Sequence, residues 1–357
     1  RVIKDLFPRY HSMKGEKVLR KAGWDTHGLP VELEVEKLIG INGKEQIEAY
    51  GIEPFIKKCR ESVWKYKTMW EEFSGVVGFW ADMEHPYITY ENYYIESEWW
   101  ALKKIWEKGL LYKGHKVVPY CPRCGTPLSS HEVSLGYKDL KERSAIVKFK
   151  SAESDAFYLA WTTTPWTLPS NLVLCVNPKV DYVKIQVGDT KYILAQALVE
   201  KVFDNAESKV LEHFKGADLE FKKYEPLYPF ANEIVEKSGK PAFFITCDDY
   251  VTTEDGTGIV HCAPAFGEDD NRVCKRYGTP FVQFVDGKGN MTSETSWAGT
   301  FVKDADPLIL DDLKKSGKLF RAPVFEHSYP HCWRCDTPLI YYARESWFIK
   351  MTAVRSE

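Results

Sequence analysis

No stretch of the 357 residues approaches the roughly 18 uninterrupted apolar positions of a membrane helix, and no basic-then-apolar segment opens the chain as a secretory signal would. No membrane partner is therefore expected, and the cytoplasm is the default location. Net charge is scarce as well. At −3, with 48 Lys and Arg against 51 Asp and Glu, the chain is not a globally basic nucleic-acid binder, so a nucleic acid would have to meet local basic patches. Lys222, Lys223, Lys237 and Lys240 could form one such patch, although solvated surface is the commoner role for loop lysines. Internal repeats and low-complexity tracts are missing too. An even cysteine complement is also lacking. Nine cysteines argue against a closed disulfide framework and fit a reducing compartment.

What is present is an ordinary globular composition. With 44% hydrophobic and 28% charged residues, the length suits two or three domains with real cores. The chain opens on Arg1 with no initiator Met and stops shortly after the strand-like run SWFIKM, so an internal piece of a longer protein is expected. Four of the cysteines form two similar hooks, Cys121-Pro-Arg-Cys124 and Cys332-Trp-Arg-Cys335, each running into a turn and then Pro. Two intervening residues let both thiolates face one tetrahedral ion. Two hooks complete a four-thiolate shell suited to structural Zn2+, closed to water and so unlike a metallohydrolase centre. The alternative is a pair of unrelated turns with buried or redox thiols. Cys59, Cys175, Cys247, Cys262 and Cys274 are scattered and read as small core residues.

If one metal joins the hooks, the residues between them are an insertion whose ends return to one place. The expected organisation is residues 1–145 and 326–357 as an outer part and 146–325 as an inner part. The outer part reads helical. Ile47, Tyr50, Phe55, Val63, Tyr66, Met69 and Trp70 recur at helical spacing over Glu45–Phe73, and Trp99, Trp100, Ile105 and Trp106 do so over Tyr93–Lys108. From Ser144 the pattern changes to short β-branched runs, AIVKF, AFYLAW, LVLCV, YVKIQV and YILA, punctuated by turn pairs. Interleaved helices at Asp269–Tyr277 and Asp306–Ser316 make the inner part α+β, or a barrel with covering helices, rather than a simple sandwich.

Two polar segments stand out in the inner part. The first runs from Trp161 to Asn171, WTTTPWTLPSN, where two prolines deny backbone donors and the hydroxyls beside two indoles make a wall both apolar and hydrogen-bonding. A strand with ladder-forming threonines is the plainer reading. The second, GTGIVHCAPAFGEDD from Gly256 to Asp270, brings a strand to His261 and then an acidic pair to the start of a helix. Asp269 and Asp270 can simply cap that helix. A carboxylate near a histidine and a hydroxyl-rich loop can also hold a substrate ammonium and position water.

Together with these segments, Gly23-Trp24-Asp25-Thr26-His27-Gly28-Leu29-Pro30-Val31-Glu32 resembles the GWDTHGLPVE element of the isoleucyl, valyl and leucyl class I tRNA synthetases. The threonine-rich loop and the GTGIVHCAP segment resemble the two editing signatures of their connective-peptide insertion. The resemblance covers nearly the whole chain. Within the trio His261 and the HSYPHCWRC run are most similar to the isoleucyl family, with a valyl or leucyl editing region, or a non-catalytic tRNA-binding zinc module, as alternatives.

The resemblance implies a mixed α/β and α+β chain: part of a Rossmann-like catalytic domain, an inserted strand-rich editing domain and a zinc-knuckle base held by Cys121, Cys124, Cys332 and Cys335. It implies that Asp25 binds the α-ammonium of isoleucine and that Trp347 lines its side-chain pocket. In the editing site it implies Asp270 on the ammonium of the misattached amino acid. Thr162, Thr163, Thr164 and His261 would form a cavity that takes valine and refuses isoleucine, with Asn171 supporting the loop. The parent enzyme would charge tRNA(Ile) with isoleucine using ATP and Mg2+, and would hydrolyse valyl-tRNA(Ile) after transfer. A monomer is expected. No HIGH-like element precedes the GWDTHG run and no KMSKS-like element follows the second hook, so the ATP-handling residues are expected outside this chain, which alone would act only as a deacylase.

Overall fold

The computed structural model describes residues 2–204 and 206–355 of a mixed α/β chain that divides into two compact units. One runs up to Lys113 and resumes at Trp347; the other is Gly114–Ser346. Both Cys-x2-Cys turns, and the stretches 114–145 and 326–346 around them, belong to the second unit.

The first unit is helical around a short parallel pair, Lys21–Trp24 with Asp82–Ile88. Parallel strands need a crossover, and here helices Leu29–Ile39, Lys44–Tyr50, Ile52–Val63 and Lys67–Val76 supply it. The single helical stretch expected over Glu45–Phe73 is thus three helices. Gly51 takes φ +106°, a left-handed geometry that ends one helix and starts the next, and a second break falls at Trp64–Tyr66. Gly23 of the GWDTHG run lies against Tyr87 so closely that a Cβ there would sit 2.0 Å from the ring. The helix expected over Tyr93–Lys108 spans Asn92–Glu107, but its tryptophans are not core: Trp99, Trp100 and Trp106 are all exposed.

The second unit is built on a nine-stranded mixed sheet. Ala156–Thr162 is its branch point. It pairs antiparallel with Ala145–Lys150 along one edge, while its other edge is shared by Thr190–Ala195 at the start and Ile259–Cys262 at the end, both parallel to it. Every residue of Val173–Val176 is buried, as its unbroken apolar run implies for a strand covered on both faces. Phe149, Leu159, Leu174, Tyr182, Ile185 and Ile245 make the centre of the core. The last helix begins at Val302, earlier than the expected Asp306, and runs to Lys315; Val302, Ala305, Ile309 and Leu313 form its buried stripe. An antiparallel pair, Tyr137–Arg143 with Val324–Pro330, lies beside the thiol turns in sequence. Strand Ile340–Ile349 takes in most of SWFIKM, whose last residue opens a 3-10 turn at Met351–Ala353.

Candidate functional site

The threonine-rich segment leaves the sheet at Thr162 and closes into a 3-10 turn over Pro165–Ser170. Proline at its first position suits such a turn, since φ is preset and no N–H is wasted. The hydroxyls then form a relay. Thr162 Oγ1 lies 3.3 Å from Thr164 Oγ1, which lies 3.4 Å from Thr167 Oγ1. Thr167 donates to the Thr164 carbonyl at 2.8 Å, so its short contact to His261 Nε2, 2.9 Å, is one in which the ring N–H donates. His261 Nδ1 is left a bare acceptor with no protein partner, in a residue 6% exposed. Burial pushes the imidazole down to about 4, so the ring is neutral at pH 7.

The acidic pair divides its labour. Asp269 is exposed and pairs with Arg272 one turn along, at 2.9 Å. Asp270 turns inward, and its carboxylate accepts the Ala263 N–H at 2.9 Å. Gly267 makes this possible, because a Cβ there would lie 2.8 Å from the Asp270 carboxyl carbon. Burial pushes Asp270 up to about 7 against the pull of the Ala263 N–H, with the charge of Asp269 adding to the rise. The residue keeps part of its surface in solvent, while its carboxyl lies close enough to Tyr250, Cys262 and Cys274 for its charge to act on all three. Near neutrality it is poised between forms, and an ammonium brought against it would draw it into the ionised one. Cys175, Cys262 and Cys274, far apart in sequence, meet in the apolar cluster beneath it with Val173 and Val273.

The structure therefore joins Thr164 to His261 through Thr167, with Thr162 reached through Thr164, and brings Asp270 to the amide two residues beyond His261. Thr163 is half-buried and stands outside the relay. Asn171 is a buried tie: its carbonyl accepts Tyr224 OH at 2.7 Å and its NH2 donates to Val173 O at 3.0 Å, fixing the end of the turn to the next strand. Trp166 packs edge-on against Phe266 at 4.9 Å, linking the two segments again. Two participants escaped the sequence reading. Thr167 sits in the quoted hydroxyl run, and the hydroxyl itself was its signal. Asp306, whose carboxylate accepts the Trp166 N–H at 2.8 Å, offered only an acid in an otherwise apolar helical stripe.

Asp25 and Trp347 lie in the helical unit. Asp25 is highly exposed, with His27 Nδ1 at 3.9 Å. Trp347 lines an apolar groove of about 980 Å3 with Trp99, Trp100, Trp106 and Leu111, and Asp25 is not among the lining residues. Lys222 pairs with Glu153 at 3.1 Å, and Lys237, which lies on the helix Asn232–Ser238 and not in a loop, pairs with Glu233, as solvated surface residues do.

The four hook cysteines converge. All four sulfurs lie within 4.8 Å of one another, with Cys121–Cys335 at 3.5 Å, Cys124–Cys335 at 3.4 Å and Cys124–Cys332 at 4.0 Å. Metal–sulfur bonds of about 2.3 Å in a tetrahedron would space sulfurs about 3.8 Å apart, so the set fits a metal ion. Each hook turns back on itself through a left-handed residue directly after its second cysteine, Gly125 at φ +67° and Asp336 at φ +65°. Hydrogen bonds from Cys121 and Cys124 hold the Cys335 thiol below its usual range, and the same contacts push the Cys121 and Cys124 thiols up.

This chain is 58% identical over 359 residues to an isoleucine–tRNA ligase of Clostridium novyi, 57% to that of Clostridium acetobutylicum and 52% to that of Bacillus thuringiensis. These alignments cover 99–100% of this chain and 34% of each relative, so the chain spans about a third of the length of the curated relatives it matches. Among solved structures, the editing domain of the P. knowlesi cytosolic leucyl-tRNA synthetase aligns with 53% of this chain and 98% of its own, at 14% identity and a TM-score of 0.40. The family model for class I tRNA synthetases (I, L, M and V) matches residues 1–357, and the chain belongs to that family.

Proposed function

We propose that this chain is the part of an isoleucyl-tRNA synthetase that removes wrongly attached amino acid from tRNA(Ile), with valine as the misactivated substrate. The reading is carried by one observation: the Thr167–His261 hydrogen bond gathers two polar segments 94 residues apart into one pocket wall beside an inward-turned carboxylate. The 52–58% identity to isoleucine–tRNA ligases supports the choice of amino acid.

A second pocket answers a limit of the first. One missing methylene changes binding to an apolar site by only about 1–3 kcal/mol, isoleucine against valine being the well-known example, so a synthetic site cannot refuse valine well. A smaller hydrolytic pocket reverses the selection. Asp270 would pair with the α-ammonium of the bound aminoacyl ester. Thr162, Thr164 and the neutral face of His261 would bound the side chain, leaving room for valine and none for the larger isoleucine. Thr163 would complete the wall and Asn171 would hold it. Water attacks the ester carbonyl, its attack favoured by position rather than by a protein nucleophile. The carboxyl of Asp270 is half ionised at about pH 7 in the empty site, so the ammonium itself draws it into the ionised form on binding.

The rest of the assignment follows the same reading. Residues 146–325 would be the inserted editing domain, with 1–145 and 326–357 belonging to the Rossmann-like catalytic domain and its zinc-knuckle base. The chain leaves its helical unit after Lys113 and re-enters at Trp347, the connectivity of an insertion. Zn2+ on Cys121, Cys124, Cys332 and Cys335 would brace the base of that insertion without entering the chemistry. Asp25 and Trp347 would serve isoleucine in the synthetic site, with ATP and Mg2+ handled by the parent enzyme, a cytoplasmic monomer. The test is hydrolysis of valyl-tRNA(Ile) by the full-length parent. Asp270→Ala is expected to lower it by at least about a hundredfold while pyrophosphate exchange with isoleucine stays intact. Unaltered hydrolysis would refute the reading and favour a non-catalytic tRNA-binding module; faster hydrolysis of threonyl- than valyl-esters would favour the valyl family.

A further inference from the structure

We propose that Asp306 is a positioning residue for the threonine-rich turn, capping it from a distant helix and so setting the hydroxyl relay that ends on His261. The inference rests on the editing reading for its catalytic meaning. A 3-10 turn leaves its leading N–H groups without internal partners. In Pro165–Ser170 the first position is Pro165, which has no N–H, and the first internal bond is Thr167 N–H to Thr164 O at 3.0 Å. The Trp166 N–H is the donor left over, in a residue only 2% exposed.

A local cap would come from Thr164, immediately before the turn. Its hydroxyl makes no such bond, being engaged with Thr162 and Thr167 instead. The turn has in effect spent its natural cap on the relay. Asp306 supplies the replacement from 140 residues away, accepting the Trp166 N–H at 2.8 Å. Burial pushes its carboxyl up to about 7 against the pull of Lys303 and of the Trp166 N–H, and in either protonation form an oxygen remains to accept that N–H. Lys303, the nearest cation on the same helix, is already held by both oxygens of Glu142, at 2.9 and 2.8 Å, and His327 Nε2 reaches the same carboxylate at 3.3 Å. Beside Asp306 opens a groove of about 450 Å3 lined in part by Glu142, Lys303, Asp311 and Lys314.

Two prolines stiffen the turn, at Pro165 and Pro169, so a shift at Trp166 passes on to Thr164 and Thr167 rather than being absorbed locally. The Trp166 ring also rests on Phe266, in the segment that leads to Asp270. One carboxylate thus registers both halves of the pocket.

Asp306→Ala and Asp306→Asn in the full-length parent separate positioning from general damage. The alanine variant is expected to lower kcat for valyl-tRNA(Ile) hydrolysis about ten- to hundredfold with KM within about threefold, and to speed hydrogen exchange at the Trp166 amide. Asparagine keeps an acceptor oxygen, so both kcat and protection should return to within about threefold of the parent. Hydrolysis by Asp306→Ala at the parental rate, or equal loss in both variants with unchanged exchange, would overturn the proposal. Should Asp270→Ala leave hydrolysis untouched, the editing reading fails on its own. The exchange comparison then decides Asp306 alone: protection lost in alanine and kept in asparagine supports the cap, and protection kept in both refutes it.

Discussion

The two compact units bury their apolar residues very differently. In Gly114–Ser346 the sheet, its covering helix and the turns enclose one large core and three smaller buried clusters, with side chains as large as Tyr182, Phe149 and Leu159 fully buried. In the helical unit only Val35 and Phe55 are buried hydrophobics among the described residues, while Trp80, Trp99, Trp100, Trp106 and Trp347 are exposed. Helical periodicity alone says that a face is apolar, not that this chain covers it. The candidate pocket lies in the self-sufficient unit, so its geometry is set by that unit's own packing.

The comparison would be broken most severely at the thiol cluster. Stripping the metal that these thiols would hold with a strong chelator, or substituting Cys332→Ser, should destabilise Gly114–Ser346 by more than about 3 kcal/mol while amide protection in the helices before Lys113 is unchanged. Elemental analysis finding no metal, with unfolding indifferent to chelation, would contradict it. A smaller effect of opposite sign is expected at Asp270. Its folded pKa, about 7, stands above the ordinary carboxyl value of 3.8, so ionisation costs the folded state stability as pH rises from about 4 through 7. Below about 4 both states are protonated and nothing is lost. Asp270→Asn should therefore stabilise the strand-rich unit by roughly 1–3 kcal/mol at pH 8, less than full linkage because the residue retains water contact, and by almost nothing at pH 4. Urea unfolding at the two pH values measures this, and an equal gain at both would sink it. The smallest effect belongs to the helical unit, where Trp99→Ala should shift stability by no more than about 0.5 kcal/mol despite the size of the side chain. A loss of several kcal/mol would show that this face is covered after all.

Local structure is legible in the sequence where local physics dominates. The strand runs AIVKF and YVKIQV appear as Ala145–Lys150 and Asp181–Val187, because alternation and β-branching act within a few residues. The helix at Glu268–Arg276 starts one residue before the expected position, its acidic first turn marking the N-terminus. Over Glu45–Phe73 the apolar spacing continues through Gly51, whereas the helical backbone breaks there. The helix Val302–Lys315 starts ahead of Asp306 because Val302 and Ala305 already belong to its buried stripe.

The sequence by itself determined the family, the paired cysteine hooks and the identity of the polar segments, since motifs and spacing are properties of the chain. Only tertiary structure decided which groups meet. Sheet branching at Ala156–Thr162 set Thr167 against His261, Gly267 let Asp270 fold back onto Ala263, and helix packing carried Asp306 to Trp166. These are contacts between residues far apart in sequence, fixed by core packing, and no local pattern encodes them.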